Sequence, residues 1–230
     1  MPNAENQLIS LLPRADRQRL VAICEPVQLV LSEVLCESGK PLRYVYFPVD
    51  GFISLLTVLD GKPTLEVGMV GREGMLGAQL ALGVATTPLH ALVQGVGSAW
   101  RVPTAKFRKE LAQCPALHRI LSRYLYVLMG QQASSAACLR YHYVEPRLAR
   151  WLLMSQDRAH SSCFHITHEF LAHMLGVRRV GVTASAGALQ KLGLIEYRRG
   201  EITVIDRSGL ERAACSCYKT NLRSYQQVLV

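Results

Sequence analysis

Residues 166–206 leave this chain few architectures to adopt. Thr167 is a capping residue ahead of His168-Glu169-Phe170-Leu171. Ile166 before the cap and Leu171 four positions after it are placed as a hydrophobic staple. Ala172, Met174 and Leu175 extend the apolar face, and Gly176 stands where a helix ends on a left-handed residue. A second helix must then begin almost at once and run from about Arg178 to Leu192. Val182, Ala186 and Leu189 form its inner stripe, and Gly193 closes it. Two helices across a Gly-centred turn of about three residues make a helix-turn-helix, whose second helix suits the DNA major groove. Leu194 to Tyr197 and Glu201 to Ile205 have strand character and flank the turn Arg198-Arg199-Gly200, which makes the unit winged. Ser208-Gly209-Leu210-Glu211 reads as a capping box that opens a final helix through Cys215 to about Tyr225.

A winged helix can also bind protein rather than DNA, and charge separates the two readings. The formal net charge is +9 at neutral pH. Residues 145–230 carry 12 Lys/Arg against 7 Asp/Glu, a net +5, while the longer stretch 1–144 carries 14 against 10, a net +4. Basic surfaces favour polyanions because binding releases condensed counterions. Arg178, Arg179, Arg198 and Arg199 fall at the tips that would face DNA. A protein-interaction module remains the alternative.

Upstream, the first 25 residues read as short helices. From about Val27 to Val102, β-branched and aromatic runs alternate with turn signals at Ser38-Gly39, Asp50-Gly51, Asp60-Gly61 and Gly71 to Gly74. That spacing predicts an antiparallel sandwich or roll, with Gly77 to Val93 hard to divide. Helical period returns after Pro103-Thr104, where Thr104 is placed to cap, and Pro115 opens the longest candidate helix. Leu117, Leu121, Tyr124 and Leu128 follow at 4-3-4 spacing, the seam of a two-stranded coil and thus a predicted homodimer interface. The same stripe can instead pack on the helix's own domain. Glu145-Pro146 marks a break before a short amphipathic helix from Arg147 to Met154. The expected domains are a β-roll sensor with N-terminal helices (1–114), a dimerisation helix (115–140) and a winged-helix unit (141–230), an α+β chain.

The start of the sequence lacks the basic region of a secretory signal and no apolar run approaches membrane-spanning length, so a cytoplasmic protein with no membrane partner is expected. Seven scattered cysteines (24, 36, 114, 138, 163, 215, 217) read as reduced structural thiols. Cys215 and Cys217 would diverge if both lay on one helix. Residues 27–102 contain one histidine, His90, too few for a metal-dependent barrel enzyme, and no nucleophile elbow or phosphate-binding loop occurs. No enzyme activity, cofactor or metal is expected.

Taken together, Ile166-Thr167 through Gly176-Val177-Arg178-Arg179, Leu189-Gln190-Lys191-Leu192-Gly193-Leu194-Ile195 and Val67-Gly68-Met69-Val70-Gly71-Arg72-Glu73-Gly74-Met75-Leu76-Gly77 resemble the Crp/Fnr family of transcription regulators over nearly the whole chain. The resemblance implies a homodimer along the long helix, bent near-palindromic double-stranded DNA and RNA polymerase as partners. Its DNA contacts map here to Thr167, His168, Arg178, Arg179, Thr183, Arg198 and Arg199. The family's cyclic-AMP receptor reads bases with two arginines and a glutamate. Arg179 matches the first arginine, but Val180 and Ala184 hold the other two places and can only touch a thymine methyl, so a different half-site is implied. A candidate effector pocket maps to Gly74, Met75, Leu76, Gly77, Leu89 and His90. Leu89-His90 stands where cyclic-nucleotide binders carry an arginine-serine phosphate clamp, so cyclic AMP is not the expected effector, whose identity stays open. Gly181 and Gly187 lower the helix propensity of the recognition segment for no evident reason.

Overall fold

Asn6 is a buried cap at the head of the first helix: its Oδ1 accepts from the Leu8 and Ile9 amides, and its Nδ2 donates to Pro48 O and Gly74 O. The computed structural model describes residues 6–60, 62–159, 161–198 and 200–230. Two helices, α1 (Gln7–Ser10) and α2 (Arg14–Ala22), lead into seven strands: β1 (Glu25–Leu29), β2 (Val34–Cys36), β3 (Tyr44–Pro48), β4 (Phe52–Leu59), β5 (Lys62–Val70), β6 (His90–Gly95) and β7 (Gly97–Pro103). They pair antiparallel as two sheets, β1-β7-β3 and β2-β6-β4-β5, the expected roll. Gly51 turns β3 into β4 at φ +75°, where a Cβ would lie 2.3 Å from Gly95 O, so only glycine fits. The stretch that resisted division, Gly77 to Val93, holds a 3₁₀ turn at Ala78–Leu82 and then β6.

Next come α3 (Thr104–Gln113) and the 27-residue α4 (Pro115–Tyr141). Thr104 does not cap; its hydroxyl donates to Leu42 O, tying α3 to the roll. The predicted coiled-coil seam is corrected by its burial. Leu117, Leu121 and Tyr124 are at most 1% exposed and pack with Phe47, Met75 and Phe107 in the roll's own core, with Leu128 half-buried against the same cluster. A 4-3-4 stripe fixes which face is apolar but not what covers it, and the open side of the roll covers this one. The outward face of α4 carries Tyr126 and Met129 at 66% and 69% exposure, with Gly130, Ala133 and Ala137 also exposed.

Then α5 (Val144–Ala159) includes Pro146 in its first turn, where a missing N–H costs nothing; the break falls at His142. The winged unit follows as β8 (Cys163–His165), α6 (His168–Leu175), α7 (Arg179–Lys191), β9 (Ile195–Arg198) and β10 (Glu201–Val204), with sheet order β8-β10-β9. The third strand, β8, is too short to stand out in the sequence pattern. Leu148, Leu152, Leu171, Val182, Leu189, Ile202 and Leu210 form the unit's core, and Phe52 and Met69 of the roll join the same cluster. Trp151 meets Phe52 edge-on at 6.3 Å.

The single final helix is corrected to two, α8 (Arg207–Ala213) and α9 (Cys217–Leu229). The cap is Asp206, whose Oδ1 accepts from Gly209 N, so the start lies two residues before the predicted box. α9 lies along α4, buries Leu229 in the roll's core, and donates from Tyr225 Oη to Glu73 O at 2.6 Å. The C-terminal helix therefore crosses the expected linear division into domains.

Candidate nucleic-acid interface

The helix-turn-helix assembles as its sequence dictates. Thr167 Oγ1 accepts from Phe170 N at 3.2 Å, and both staple residues, Ile166 and Leu171, are buried. Gly176 is left-handed at φ +61°, and a Cβ there would sit 2.8 Å from Leu65 of the roll. Val182, Ala186 and Leu189 face inward at 2% exposure or less. Their opposite face presents Arg179, Val180, Thr183, Ala184 and Gly187 to solvent, with Arg178 exposed at the N-cap. Among the described residues nothing lies within 4 Å of a Cβ built on Gly187, and only Val144 approaches one built on Gly181, at 3.9 Å. Packing of the described residues requires neither glycine.

His168 has work other than reaching outward. Thr183 Oγ1 donates to Arg179 O at 3.1 Å, so it accepts from His168 Nδ1 at 3.0 Å, and the ring stacks on Tyr197 at 4.0 Å. Burial, and then the Arg179 charge, hold its pKa below the usual imidazole value, so it is a neutral strut between α6, α7 and the wing. His168 and Thr183, both mapped as DNA contacts, are thus bonded to each other in this structure. Gln190 Oε1 accepts from Tyr197 N at 2.9 Å, fixing β9 against α7. Arg198 is exposed at the end of β9; Arg199 lies outside the described residues.

The six candidate pocket residues do not share one wall. Met75 belongs to the core beneath α4, whereas Leu76 and Leu89 pack with Tyr46 and Ile53 in a separate cluster. Gly74 lies directly under Tyr124, Gly77 against Val45, and His90 is half-buried opposite Leu56 in the β4–β6 pair.

A grouping that sequence reasoning missed sits where α4 ends. Cys138, His142, Cys215 and Cys217 place their potential ligand atoms within 4.8 Å of one another. Cys215 and Cys217 do not diverge because the chain breaks between α8 and α9, leaving Cys215 off the helix. The available signal was Cys-x₃-His across the end of the long helix together with Cys-x-Cys further on.

The architecture is a β-roll joined through one long helix to a winged helix-turn-helix. Residues 146–213 match the family of Crp-like helix-turn-helix domains. The chain is 24% identical over 217 residues to the global nitrogen regulator of Synechococcus elongatus, covering 90% of this chain and 97% of that one. Its fold is that of FixK2 from Bradyrhizobium japonicum (TM-score 0.69, 16% identity, 84% and 98% of the two chains). It is also that of a CRP/FNR-family transcriptional regulator from Thermus thermophilus (TM-score 0.62, 22% identity, 83% and 98%). The chain thus carries a Crp-like helix-turn-helix domain within a fold shared with these regulators. Among the described residues no helix is long and apolar enough to cross a membrane.

Proposed function

We propose that the protein acts in the cytoplasm as a homodimer that reads a near-palindromic duplex, its half-site centres about 10–10.5 base pairs apart, and works with RNA polymerase. The observation that carries this reading is the outward face of α7, with Arg179 on its first turn and small residues behind it. Arg179 reads a base edge, most simply a guanine through its N7 and O6, while Val180 and Ala184 give no hydrogen bond and set the half-site apart from that of the cyclic-AMP receptor. Bare backbone at Gly187 allows close approach to a phosphate strand. Thr167, Arg178 and Arg198 are positioned for phosphates, which fix register without reading sequence.

Arg179→Ala is then expected to cost roughly 1–3 kcal/mol on the specific site and to relax one base pair per half-site. Arg198→Ala is expected to weaken specific and scrambled duplexes alike and to lower the salt slope by about one unit for each phosphate no longer neutralised. Fluorescence anisotropy at several salt concentrations distinguishes the two. An equal loss on both duplexes for Arg179→Ala would make it a backbone contact, and failure of the parent protein to bind either duplex would return the wing to a protein-interaction role.

The effector is not cyclic AMP on this reading, because Leu89 and His90 stand where a bidentate guanidinium is needed. Millimolar cyclic AMP is expected to leave the melting temperature unchanged, whereas a true ligand at a hundredfold excess over its Kd adds about 2.7 kcal/mol. A clear upward melting shift defeats that assignment.

A further inference from the structure

Two separate stretches bring ligand-type side chains to one point. Cys138 lies in the last turn of α4 and His142 caps that helix, its N–H donating to Cys138 O; Cys215 comes from the α8–α9 junction and Cys217 opens α9. Cys138 Sγ lies 3.6 Å from Cys215 Sγ, and Cys217 Sγ lies 3.6 Å from His142 Nδ1. A single tetrahedral zinc ion with bonds near 2.3 Å to sulfur separates its sulfurs by about 3.8 Å. The spacing fits one ion. A four-iron cube spreads its thiolates wider, and a disulfide brings its sulfurs to about 2.05 Å.

Small hydrophobic packing is the plainer use of buried cysteines. Here, however, the three thiols form a cluster of their own, apart from the aliphatic cores, with an imidazole among them. Arg147, 8% exposed, and Arg150 line the same small cavity as Cys138.

We propose that Cys138, His142, Cys215 and Cys217 bind one zinc ion in a closed Cys₃His site that clasps the end of α4 to the α8–α9 junction. The ion displaces the three thiol protons and takes neutral His142 through Nδ1. With all four positions filled by protein, its role is structural. It fixes α9 along α4 and holds the winged unit against the long helix. This assignment does not depend on which DNA the protein reads.

The test uses the untagged full-length protein purified under reducing conditions. Elemental mass spectrometry should find about one zinc per chain, the stoichiometry of a single closed site. Cys215→Ser, Cys217→Ser and His142→Ala should each lose most of it, while Cys163→Ser, at an exposed position outside the cluster, should keep it. Cobalt added to the stripped wild-type protein should give the visible bands of a tetrahedral thiolate site, so the readout does not rest on variants that fold poorly. Stripping should lower the melting temperature, and zinc should restore it. Folded wild-type protein with neither zinc nor cobalt bands overturns the proposal. So does a Cys138–Cys215 disulfide in metal-free protein, iron with labile sulfide, or zinc that survives the cluster substitutions.

Discussion

Met129→Glu combined with Ala133→Glu is expected to turn the proposed dimer into monomers that melt close to the parent chain and bind the specific site roughly a hundredfold or more weaker. Both residues lie on the outward face of α4, where Met129 is 69% exposed. Carboxylates there meet water in the monomer, so the fold is not disturbed. In a dimer built along this face they would be trapped without partners, at a cost of several kcal/mol. Each protomer then holds one half-site alone and the linkage between half-sites is lost. Leu121→Glu has a different expected result. Leu121 is 0% exposed within its own chain, so a carboxylate there costs about 4–5 kcal/mol or more, comparable with the whole stability of a domain. Sedimentation velocity and thermal melting separate the cases. Should Met129→Glu/Ala133→Glu stay dimeric, the protomers join elsewhere.

This contrast marks how far the sequence carries. Short-range rules placed the helix-turn-helix almost to the residue: Thr167 caps, Gly176 is left-handed, and Val182, Ala186 and Leu189 point inward. Each depends on neighbours within a few positions, so the sequence holds the whole cause. The Asp50-Gly51 turn and the roll were legible for the same reason. The α4 stripe was legible as a stripe, but its cover was not, because Phe47 and Met75 come from strands and loops far back in the chain. His168 was mapped as a DNA contact; its contacts to Thr183 and Tyr197 were not legible, since they exist only once α6, α7 and β9 are packed. The Cys138, His142, Cys215 and Cys217 grouping was hidden by a wrong helix boundary. Continuing one helix through Cys215 sets the two thiols on diverging sides; breaking it after Ala213 brings them together.

Between pH 4.5 and about 7 the protein is expected to lose stability on the order of 3 kcal/mol through one carboxyl group, Glu66. Glu66 lies on β5 where the roll meets α5. Glu66 is half-buried, and both carboxyl oxygens are bonded: Oε2 accepts from Ser54 Oγ at 2.5 Å and Oε1 from Trp151 Nε1 at 2.9 Å. Burial pushes its pKa from 4.5 up to about 7, outweighing those hydrogen bonds and the charges of Arg158 and Arg150, which pull it down. Because the folded value lies above the unfolded one, the folded state holds the proton more tightly. Its stabilisation is complete below about pH 4.5 and is lost as pH rises through about 7. Glu66→Gln keeps the shape and an acceptor for Trp151, and Ser54 can turn to accept from the new amide. The variant should therefore lack this slope and exceed the parent's stability above pH 7. Urea melts of both proteins at half-unit steps from pH 5 to 8 give the comparison. Identical slopes would place the titration elsewhere. A slope that disappears with Glu66 would assign the pH dependence in this range to its carboxyl, whose burial rather than its bonds to Trp151 and Ser54 disfavours ionisation.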